Sequence, residues 1–343
     1  METFLGIDYP TLWFMVISLV FIGYIVLDGL DFGAGIWHLL LRKEEHKQTS
    51  FNAIGPIWDG NEVWLVIGGG ALFAGFPLMY ASFFSALYIP FMLFLFVIIF
   101  RAASIEFRGK EPMKWWKKIW DIFFGISSTL IPILLGVVLG NIVQGIELDT
   151  NFIYRGNALL DFLTPYSLIV GVTALAVCII HGGLFMLIKT EGDMHQFFQK
   201  RIKIAFALCF LSVMLLTVYT FSSFPHLTET YRGNPVLWLI PGIAYASFIS
   251  IFYLINKQKY TAAFLLSSLF IVSIIITATI ELYPVLLPST GSEESFITIY
   301  NAASSEKTLK IMLIMSSIGI PLLVGYTLFA YKVFSGKTKE LDY

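Results

Sequence analysis

Nine stretches of apolar residues, each long enough to cross a bilayer as a helix, fill most of this 343-residue chain. About 20 residues of helix span the hydrocarbon core of a membrane. The stretches cover residues 11–41, 55–76, 81–100, 119–146, 159–188, 202–224, 236–255, 261–287 and 309–334. Because 57% of the residues are hydrophobic and only 13% are charged, no soluble domain fits beside them. We predict an all-α polytopic membrane protein of nine transmembrane helices, forming one integral membrane domain over residues 1–343.

The second and third stretches are the hardest to separate, because residues 61–100 are almost continuously apolar. About 40 residues amount to two membrane crossings, so we predict a tight turn at Phe76, Pro77 and Leu78. The first stretch follows no basic residue and no small-residue cleavage site. We therefore expect it to remain as the first span instead of being removed as a signal peptide.

The basic residues predict the orientation of the chain, since Lys and Arg in short loops stay on the cytoplasmic side. With nine spans and the N-terminus outside, 18 of the 22 basic residues, from Arg42 to Lys339, fall in inside segments. The four outside are Arg155, Arg232, Lys307 and Lys310. We predict an outside N-terminus and a cytoplasmic C-terminus. The formal net charge of −1 gives no support for a nucleic-acid partner.

Acidic residues inside two of these helices are the main functional signal. A carboxylate near the bilayer centre costs about 2.5–3.5 kcal/mol on insertion scales, so it indicates a function or a partner. Two polar stripes share the spacing 0, 3, 7 and 10, which places each on one helix face: Asp28, Asp31, Gly35 and His38, then Asn52, Gly55, Asp59 and Glu62. Alternatively, the second helix begins near Pro56, and Asn52 and Gly55 then lie on an approach loop. The two helices run in opposite directions from the cytoplasm, so the stripes are expected to form one acidic cluster at that side.

Two interpretations of this cluster remain open. Closely spaced carboxylates with bridging water can pass protons, which predicts a proton or cation path from the cytoplasm. Cations are available at the end of the third helix, in Arg101, Arg108 and Lys110. Alternatively, the acids cap helix ends or reach into headgroup water. That alternative applies most to Glu62 and least to Asp28.

Several other polar residues favour a structural role. His181 is predicted to be packed and hydrogen-bonded; haem ligation is the alternative, but His38 and His181 have no clear ligand spacing. Glu281 has two interpretations: its carboxylate reaches water at the outer surface, or it has a functional role inside the membrane. Residues interpreted as structural are Asp121 and Asp161 at predicted helix starts, Cys178 and Cys209 without disulfide or metal spacing, and Gly68, Gly69 and Gly70 as packing positions.

Seven ordered motifs then identify a family. They are LDGLDFGAG at 27–35, GPIWDGNEVWL at 55–65, GGALFAGFPLMYA at 69–81, FRAASIEFRGK at 100–110, GNIVQG at 140–145, YPVLLPST at 283–290 and ASSEKTL at 303–309. With these motifs the chain resembles subunit II of cytochrome bd-type quinol oxidases. The resemblance spans essentially the whole chain, and it agrees with the length and the nine-helix pattern.

The resemblance implies a subunit of a respiratory complex in the bacterial cytoplasmic (inner) membrane. Such a complex oxidises quinol, reduces O2 to water and takes up protons from the cytoplasm, which makes it electrogenic. Haems b and d, the quinol site and the O2 site belong to subunit I in this family, so no catalytic residue, cofactor ligand or metal site is expected in this chain. Small accessory membrane subunits and a structural quinone occur in some members, and the sequence assigns no contacts to either.

The resemblance also implies roles for single residues. Asp59 matches a carboxylate of the proton route through the subunit interface, and Glu106 and Lys110 match positions near its cytoplasmic mouth. Asp28 and Asp31 match paired acids of the first helix, whereas the role of Glu62 is open. Motif positions for which packing is expected are Trp58, Gly60, Asn61 and Trp64.

Two competing functions remain. Intramembrane acids also suit a stand-alone secondary transporter or proton channel. A purely structural scaffold, whose acids only bind subunit I, would keep its function when Asp59 is neutralised and assembly is preserved. Internal repeats, which would favour a transporter, are not visible in the sequence.

Overall fold

The chain folds into a bundle of long helices, which the computed structural model describes for residues 3–157 and 159–338. Lys339, counted above among the inside basic residues, lies outside that range. The α-helices are α1 Tyr9–His38, α2 Glu44–Ile54, α3 Trp58–Gly75, α4 Pro77–Ala86, α5 Tyr88–Phe107, α6 Lys114–Gln144, α7 Pro165–Lys189, α8 Gly192–Ser223, α9 Glu229–Gly233, α10 Leu239–Asn256, α11 Tyr260–Leu282 and α12 Glu306–Val333. Two short antiparallel pairs join β1 Thr3–Phe4 to β2 Ile7–Asp8, and β3 Val285–Leu287 to β4 Ile297–Thr298.

Within the described residues, eight helices are individually long and apolar enough to cross a membrane. A ninth crossing is counted when α3 and α4, which bend by 117° at their junction, are taken as one broken span. The predicted helical membrane architecture is therefore confirmed, and the eight to nine candidate spans include the predicted count of nine. The orientation of the termini stays a prediction.

The junction of α3 and α4 lies where the tight turn was expected, but the next helix differs from the prediction. Phe76 leaves the helical conformation, and Pro77 starts α4 at a position where its missing N–H costs nothing. The 18 residues of α3 rise about 27 Å, close to the thickness of the hydrocarbon core. The predicted third span therefore begins at Tyr88 and not at residue 81, because the ten residues of α4 form a separate helix.

A second difference concerns the polar stripe assigned to the second helix. Asn52 belongs to α2, a separate polar helix of 11 residues that precedes the span, while Asp59 and Glu62 lie on α3. Gly55 and Pro56 lie between the two helices, and Pro56 has no backbone N–H with which to continue the hydrogen bonds of α2. Asn52 and Gly55 thus precede the span, as Pro56 indicated, but the approach is the helix α2 and not a loop.

Helix α1 lies at the centre of the bundle and packs against α3, α6 and α7. Its closest approach is to α7, where a Cβ built on Gly33 would lie 2.1 Å from the Cys178 carbonyl oxygen and 2.6 Å from the Gly182 Cα. Only glycines allow two helix backbones to come this close. This contact holds the acidic half of α1 inside the bundle.

Candidate functional site

A buried ion pair joins α1 to α5. Arg101 donates to both carboxylate oxygens of Asp28, with N–O distances of 2.6 and 3.4 Å. Both side chains are fully buried, and the Arg101 guanidinium also lies over the Phe32 ring, 4.6 Å from its centroid. Arginine suits such a site because its planar fork matches a carboxylate.

Two more carboxyl groups face the same guanidinium. A terminal nitrogen of Arg101 lies 3.8 Å from Asp31 Oδ2, and the other lies 3.6 Å from Glu62 Oε1. The Asp31 side chain is fully buried, whereas that of Glu62 is 18% exposed. These four residues are called the Arg101 cluster below. One positive charge faces three carboxyl groups, so full ionisation would leave two buried negative charges without a partner.

Asn61 extends the Arg101 cluster toward α12. Its side-chain Nδ2 donates to Asp31 Oδ2 at 2.8 Å and lies 3.3 Å from the Leu27 carbonyl oxygen. The Tyr331 hydroxyl donates to Asn61 Oδ1 at 3.2 Å. Hydrogen bonds therefore connect α12, α3 and α1.

The remaining residues assigned to the proton path lie at the surface of the chain. Asp59 is exposed in the first turn of α3, one turn before Glu62 on the same helix face. Glu106 and Lys110 are exposed at and just after the end of α5. The structure thus brings Asp28, Asp31 and Glu62 together. Asp59, Glu106 and Lys110 remain outside the Arg101 cluster.

The two tryptophans of the Trp-Asp-Gly-Asn segment are buried. Trp58 packs in the core formed with α2 and α7, and Trp64 packs against α1. The Trp64 ring fills the space beside Gly23, where a Cβ would lie 2.4 Å from a ring carbon. Gly60 faces Tyr326 of α12, with a built Cβ 3.3 Å from that ring.

A second charged cluster is centred on Asp121, and the sequence did not indicate it. Asp121 was expected at a helix start, but α6 begins seven residues earlier, at Lys114. Its carboxylate accepts hydrogen bonds from Arg108 Nε at 2.6 Å, Lys47 Nζ at 2.8 Å and His38 Nε2 at 3.0 Å. These four residues form the Asp121 hub. His38 and Asp121 are 83 positions apart, so no local spacing could have indicated the contact.

The Asp121 hub fastens α2 to the ends of the spans. Arg108 also donates to Gln48 and Glu44 of α2, both at 2.8 Å. His38 Nδ1 and the Ser50 hydroxyl of α2 are 2.7 Å apart. Because α2 leads directly into α3, the hub also fixes where the α3 N-terminus begins.

The histidines expected near the bilayer do not fit haem ligation. His181 Nε2 lies 3.0 Å from the Val26 carbonyl oxygen, and its Nδ1 lies 2.7 Å from the Ser267 hydroxyl. The two ring nitrogens of His38 are likewise bonded, to Ser50 and Asp121. A haem ligand needs one ring nitrogen free for the iron. Across residues 3–157 and 159–338, no group of three or more His, Cys, Asp or Glu side chains could hold a metal ion.

Asp161 also differs from its predicted position at a helix start. It lies in a 3-10 turn, Leu160–Phe162, ahead of α7, whose N-cap is Thr164. Hydrogen bonds from the Tyr154 hydroxyl and the Asn157 N–H, both 2.7 Å, lower the pKa of Asp161. Glu281 lies half-buried in the last turn of α11, and both interpretations of it stay open.

Among the remaining glycines and cysteines, Gly68 and both cysteines are packed as predicted, whereas Gly69 and Gly70 have nothing within 4 Å of a built Cβ among the described residues. Gly68 faces Phe21, whose ring would lie 2.9 Å from a built Cβ, whereas Gly69 and Gly70 face open space. Cys178 and Cys209 are both buried and free.

Comparison with known proteins decides the family. The family model described as cytochrome bd terminal oxidase subunit II matches residues 9–334. The chain belongs to the cytochrome bd terminal oxidase subunit II family. This confirms the resemblance stated above, and with it a multi-pass protein of the bacterial inner membrane and a subunit of an oxidoreductase complex of the respiratory chain.

Curated relatives cover the chain almost completely. Cytochrome bd ubiquinol oxidase subunit 2 of Bacillus subtilis (strain 168) is 32% identical over 337 residues, covering 96% of this chain and 97% of the relative. Cytochrome bd-I ubiquinol oxidase subunit 2 of Escherichia coli (strain K12) is 29% identical over 369 residues, covering 97% of each. A chain of the solved bd oxidase from Geobacillus thermodenitrificans superimposes with a TM-score of 0.79 at 18% identity, covering 95% of this chain and 98% of that one. This last likeness shows the shared fold.

Proposed function

We propose that this chain is the haem-free subunit II of a quinol:O2 oxidoreductase, that it supports a haem-bearing subunit I, and that it lines the cytoplasmic proton-uptake route. Quinol and O2 are the substrates of the complex, and the haems b and d belong to subunit I. The observation that carries the proton-route proposal is the Arg101 cluster, in which three carboxyl groups face one buried guanidinium. The chain acts as one integral membrane domain with an outside N-terminus and a cytoplasmic C-terminus.

The chemistry of the complex requires such a route. Reduction of O2 to water consumes protons at the haem site, and these protons must cross part of an apolar barrier. Exposed Asp59 and Glu106 collect protons from the cytoplasm, and Glu62, which is only partly buried, lies one turn from Asp59. Asp28 is held by the bidentate contact with Arg101. Glu62 and Asp31 lie at longer distances from Arg101 and are the groups free to exchange a proton.

A haem-free subunit agrees with the hydrogen bonding of the histidines. His38 and His181 use both ring nitrogens for contacts within the chain. An axial ligand could be recruited only by breaking one of these contacts. In this proposal the chemistry of O2 belongs to subunit I, and this chain supplies packing surface and proton-relay groups.

The docking surface for subunit I includes one face of α3. Five exposed or open positions lie at intervals of 3 or 4 residues along that face: Asp59, Val63, Val66, Gly70 and Phe73. An uncovered apolar helix face that ends in a carboxylate suits a membrane partner, with Asp59 at the cytoplasmic edge of the interface. The exposed stripe of α5 has the same character, since Phe96 and Ile99 precede Glu106 on one face and Lys110 follows the end of the helix.

Purification tests the subunit assignment. The chain is isolated in mild detergent from cells that make the whole complex, and the product is examined by a reduced-minus-oxidised visible spectrum and by quinol-dependent O2 uptake. A co-purifying haem-bearing subunit with O2 uptake is expected. A stable, colourless preparation of this chain alone would contradict the assignment and favour a stand-alone proton channel or transporter.

Neutralising substitutions test the proton route. Asp59→Asn and Glu106→Gln should each slow quinol oxidation while haem content and subunit ratio stay at the wild-type level. Glu293→Gln is the matched control, because Glu293 is exposed in the turn between β3 and β4, far along the chain from the cluster. Full turnover in a correctly assembled Asp59→Asn complex would remove Asp59 from the route. Loss of assembly in that variant would instead support the scaffold interpretation.

A further inference from the structure

The cytoplasmic end of α12 is tied to the Arg101 cluster through one side-chain amide. Two hydrogen-bond acceptors on α1 face the Asn61 side chain. They are the Asp31 carboxylate at 2.8 Å and the Leu27 carbonyl oxygen at 3.3 Å. Only the NH2 end of the amide can donate to them. The Oδ1 end must therefore face α12, where the Tyr331 hydroxyl donates to it at 3.2 Å.

A small cavity adjoins this contact between α3 and α12. Its walls include Ile57, Gly60, Asn61, Thr327, Ala330 and Tyr331. The centre of a water molecule has about 10 Å³ of space there, which is room for one water. The Thr327 hydroxyl is buried in this wall with no hydrogen-bond partner among the residues that the structure describes. Three of the lining residues, Asn61, Thr327 and Tyr331, carry polar side chains, and a buried water needs two to four polar partners.

We propose that Tyr331 is a positioning residue of the proton route and that Thr327 holds a water beside it. The Tyr331 hydroxyl keeps the Asn61 amide turned so that its NH2 group donates to Asp31. An amide N–H does not titrate, so Asn61 can stabilise the Asp31 carboxylate but cannot carry its proton away toward α12. A proton on Asp31 can therefore leave only toward the other carboxyl groups of the Arg101 cluster, of which Glu62 is the one not held by a bidentate contact. This inference rests on the proton route proposed above.

Removal of the Tyr331 hydroxyl should act on proton transfer and not on quinol binding. Without that donor, Asn61 Oδ1 loses its partner on α12, so the amide is held only from the α1 side and its N–H is less firmly placed against Asp31. A single hydrogen bond of this kind corresponds to a roughly two- to ten-fold change in an equilibrium or rate. In the purified complex, Tyr331→Phe should lower kcat by roughly this factor, leave the KM for quinol unchanged and increase the H2O/D2O isotope effect on turnover.

The matched control is Tyr326→Phe. Tyr326 lies five residues earlier on α12 and lines the same cavity, but its hydroxyl makes no hydrogen bond within the described part of the chain. That variant should behave as the wild type. Thr327→Val, which removes a hydroxyl at constant shape, should reproduce the Tyr331→Phe effect at smaller size.

A double-variant cycle tests whether Tyr331 acts through Asn61. If it does, Tyr331→Phe should have no further effect on kcat in an Asn61→Leu background, because the group it orients is gone. Wild-type kcat and isotope effect in an assembled Tyr331→Phe complex would overturn the inference, and so would a fully multiplicative double variant. If Asp59→Asn and Asp31→Asn also leave turnover unchanged, the proton route itself fails. If those two slow turnover while Tyr331→Phe does not, only this inference fails.

Discussion

Replacing Asp121 with asparagine removes the charge of the Asp121 hub while keeping the shape of the side chain. The native carboxylate faces only donors, namely Arg108, Lys47 and His38 at 2.6–3.0 Å. The asparagine NH2 group would point at one of these donors, and the buried Arg108 guanidinium would lose a charged partner. Because Arg108 and His38 also hold α2, we expect α2 to be the part of the fold that opens.

The burial of the hub sets the magnitude. The side chains of Asp121 and Arg108 are 7% and 2% exposed, and breaking a buried ion pair by removing one partner costs about 3–5 kcal/mol. Asparagine keeps one acceptor oxygen, so the lower end, about 3 kcal/mol, is the better figure. At 1.4 kcal/mol for each factor of ten, the equilibrium constant for opening of α2 should rise by at least roughly 100-fold.

Hydrogen exchange of peptides from Glu44–Ile54, followed by mass spectrometry on the purified complex, measures this opening directly. Asp193→Asn provides the control, because Asp193 pairs at 2.8 Å with Lys43, the residue just before α2, in a site where the side chains are 72% and 56% exposed. A surface pair of this kind contributes about 0–1 kcal/mol, or at most roughly five-fold. Similar exchange rates in the two variants would refute the reasoning, since the hub would then contribute no more than a surface contact.

Three further predictions follow from other parts of the bundle. Gly33→Ala should lower the thermal stability of the purified complex, because the added Cβ would lie 2.1 and 2.6 Å from backbone atoms that cannot move aside. Gly242→Ala is the control, because nothing lies within 4 Å of its Cβ. Equal melting temperatures of the two variants would contradict this prediction. Arg101→Met should reduce the amount of assembled complex in membranes. Adding Asp28→Leu should restore part of it, because removing both partners leaves less unpaired buried charge. A double variant that assembles less well than the single one would exclude this explanation. For the orientation, Lys259→Cys should react only with a thiol reagent applied from the cytoplasm and Glu294→Cys only from outside, and the reverse pattern would invert the topology.

The sequence predicted what depends on local chain properties. Hydropathy and helix length indicated the spans, and the proline at position 77 indicated the break between α3 and α4. The stripe of Asp28 and Asp31 followed from helical periodicity within α1. The sequence did not indicate α2, the helix that ends just before Gly55 and Pro56, because a short polar helix carries no strong apolar signal.

The partners of the buried charges could not be predicted from spacing. Arg101 and Asp28 are 73 positions apart, and Arg101 was only one of several cations at the end of the third helix. Which of these cations enters the bundle depends on the rotation of α5 against α1, and that rotation is set by packing. Arg108, two turns later, enters the Asp121 hub instead, while Lys110 stays exposed.

The two buried clusters use the same residue types but differ in charge balance, and that difference separates their roles. In the Asp121 hub, Asp121 and the neighbouring Glu44 supply two carboxylates for Arg108 and Lys47, and His38 is a further donor. Both Asp121 oxygens accept hydrogen bonds from these donors, so protonating the carboxylate would break a contact. The hub therefore holds helices together and does not exchange protons. The Arg101 cluster has three carboxyl groups for one cation, and one oxygen of Asp31 lacks a partner among the described side chains. A buried site with more carboxyl groups than cations stays neutral only by holding protons, and this property makes it suitable as a relay.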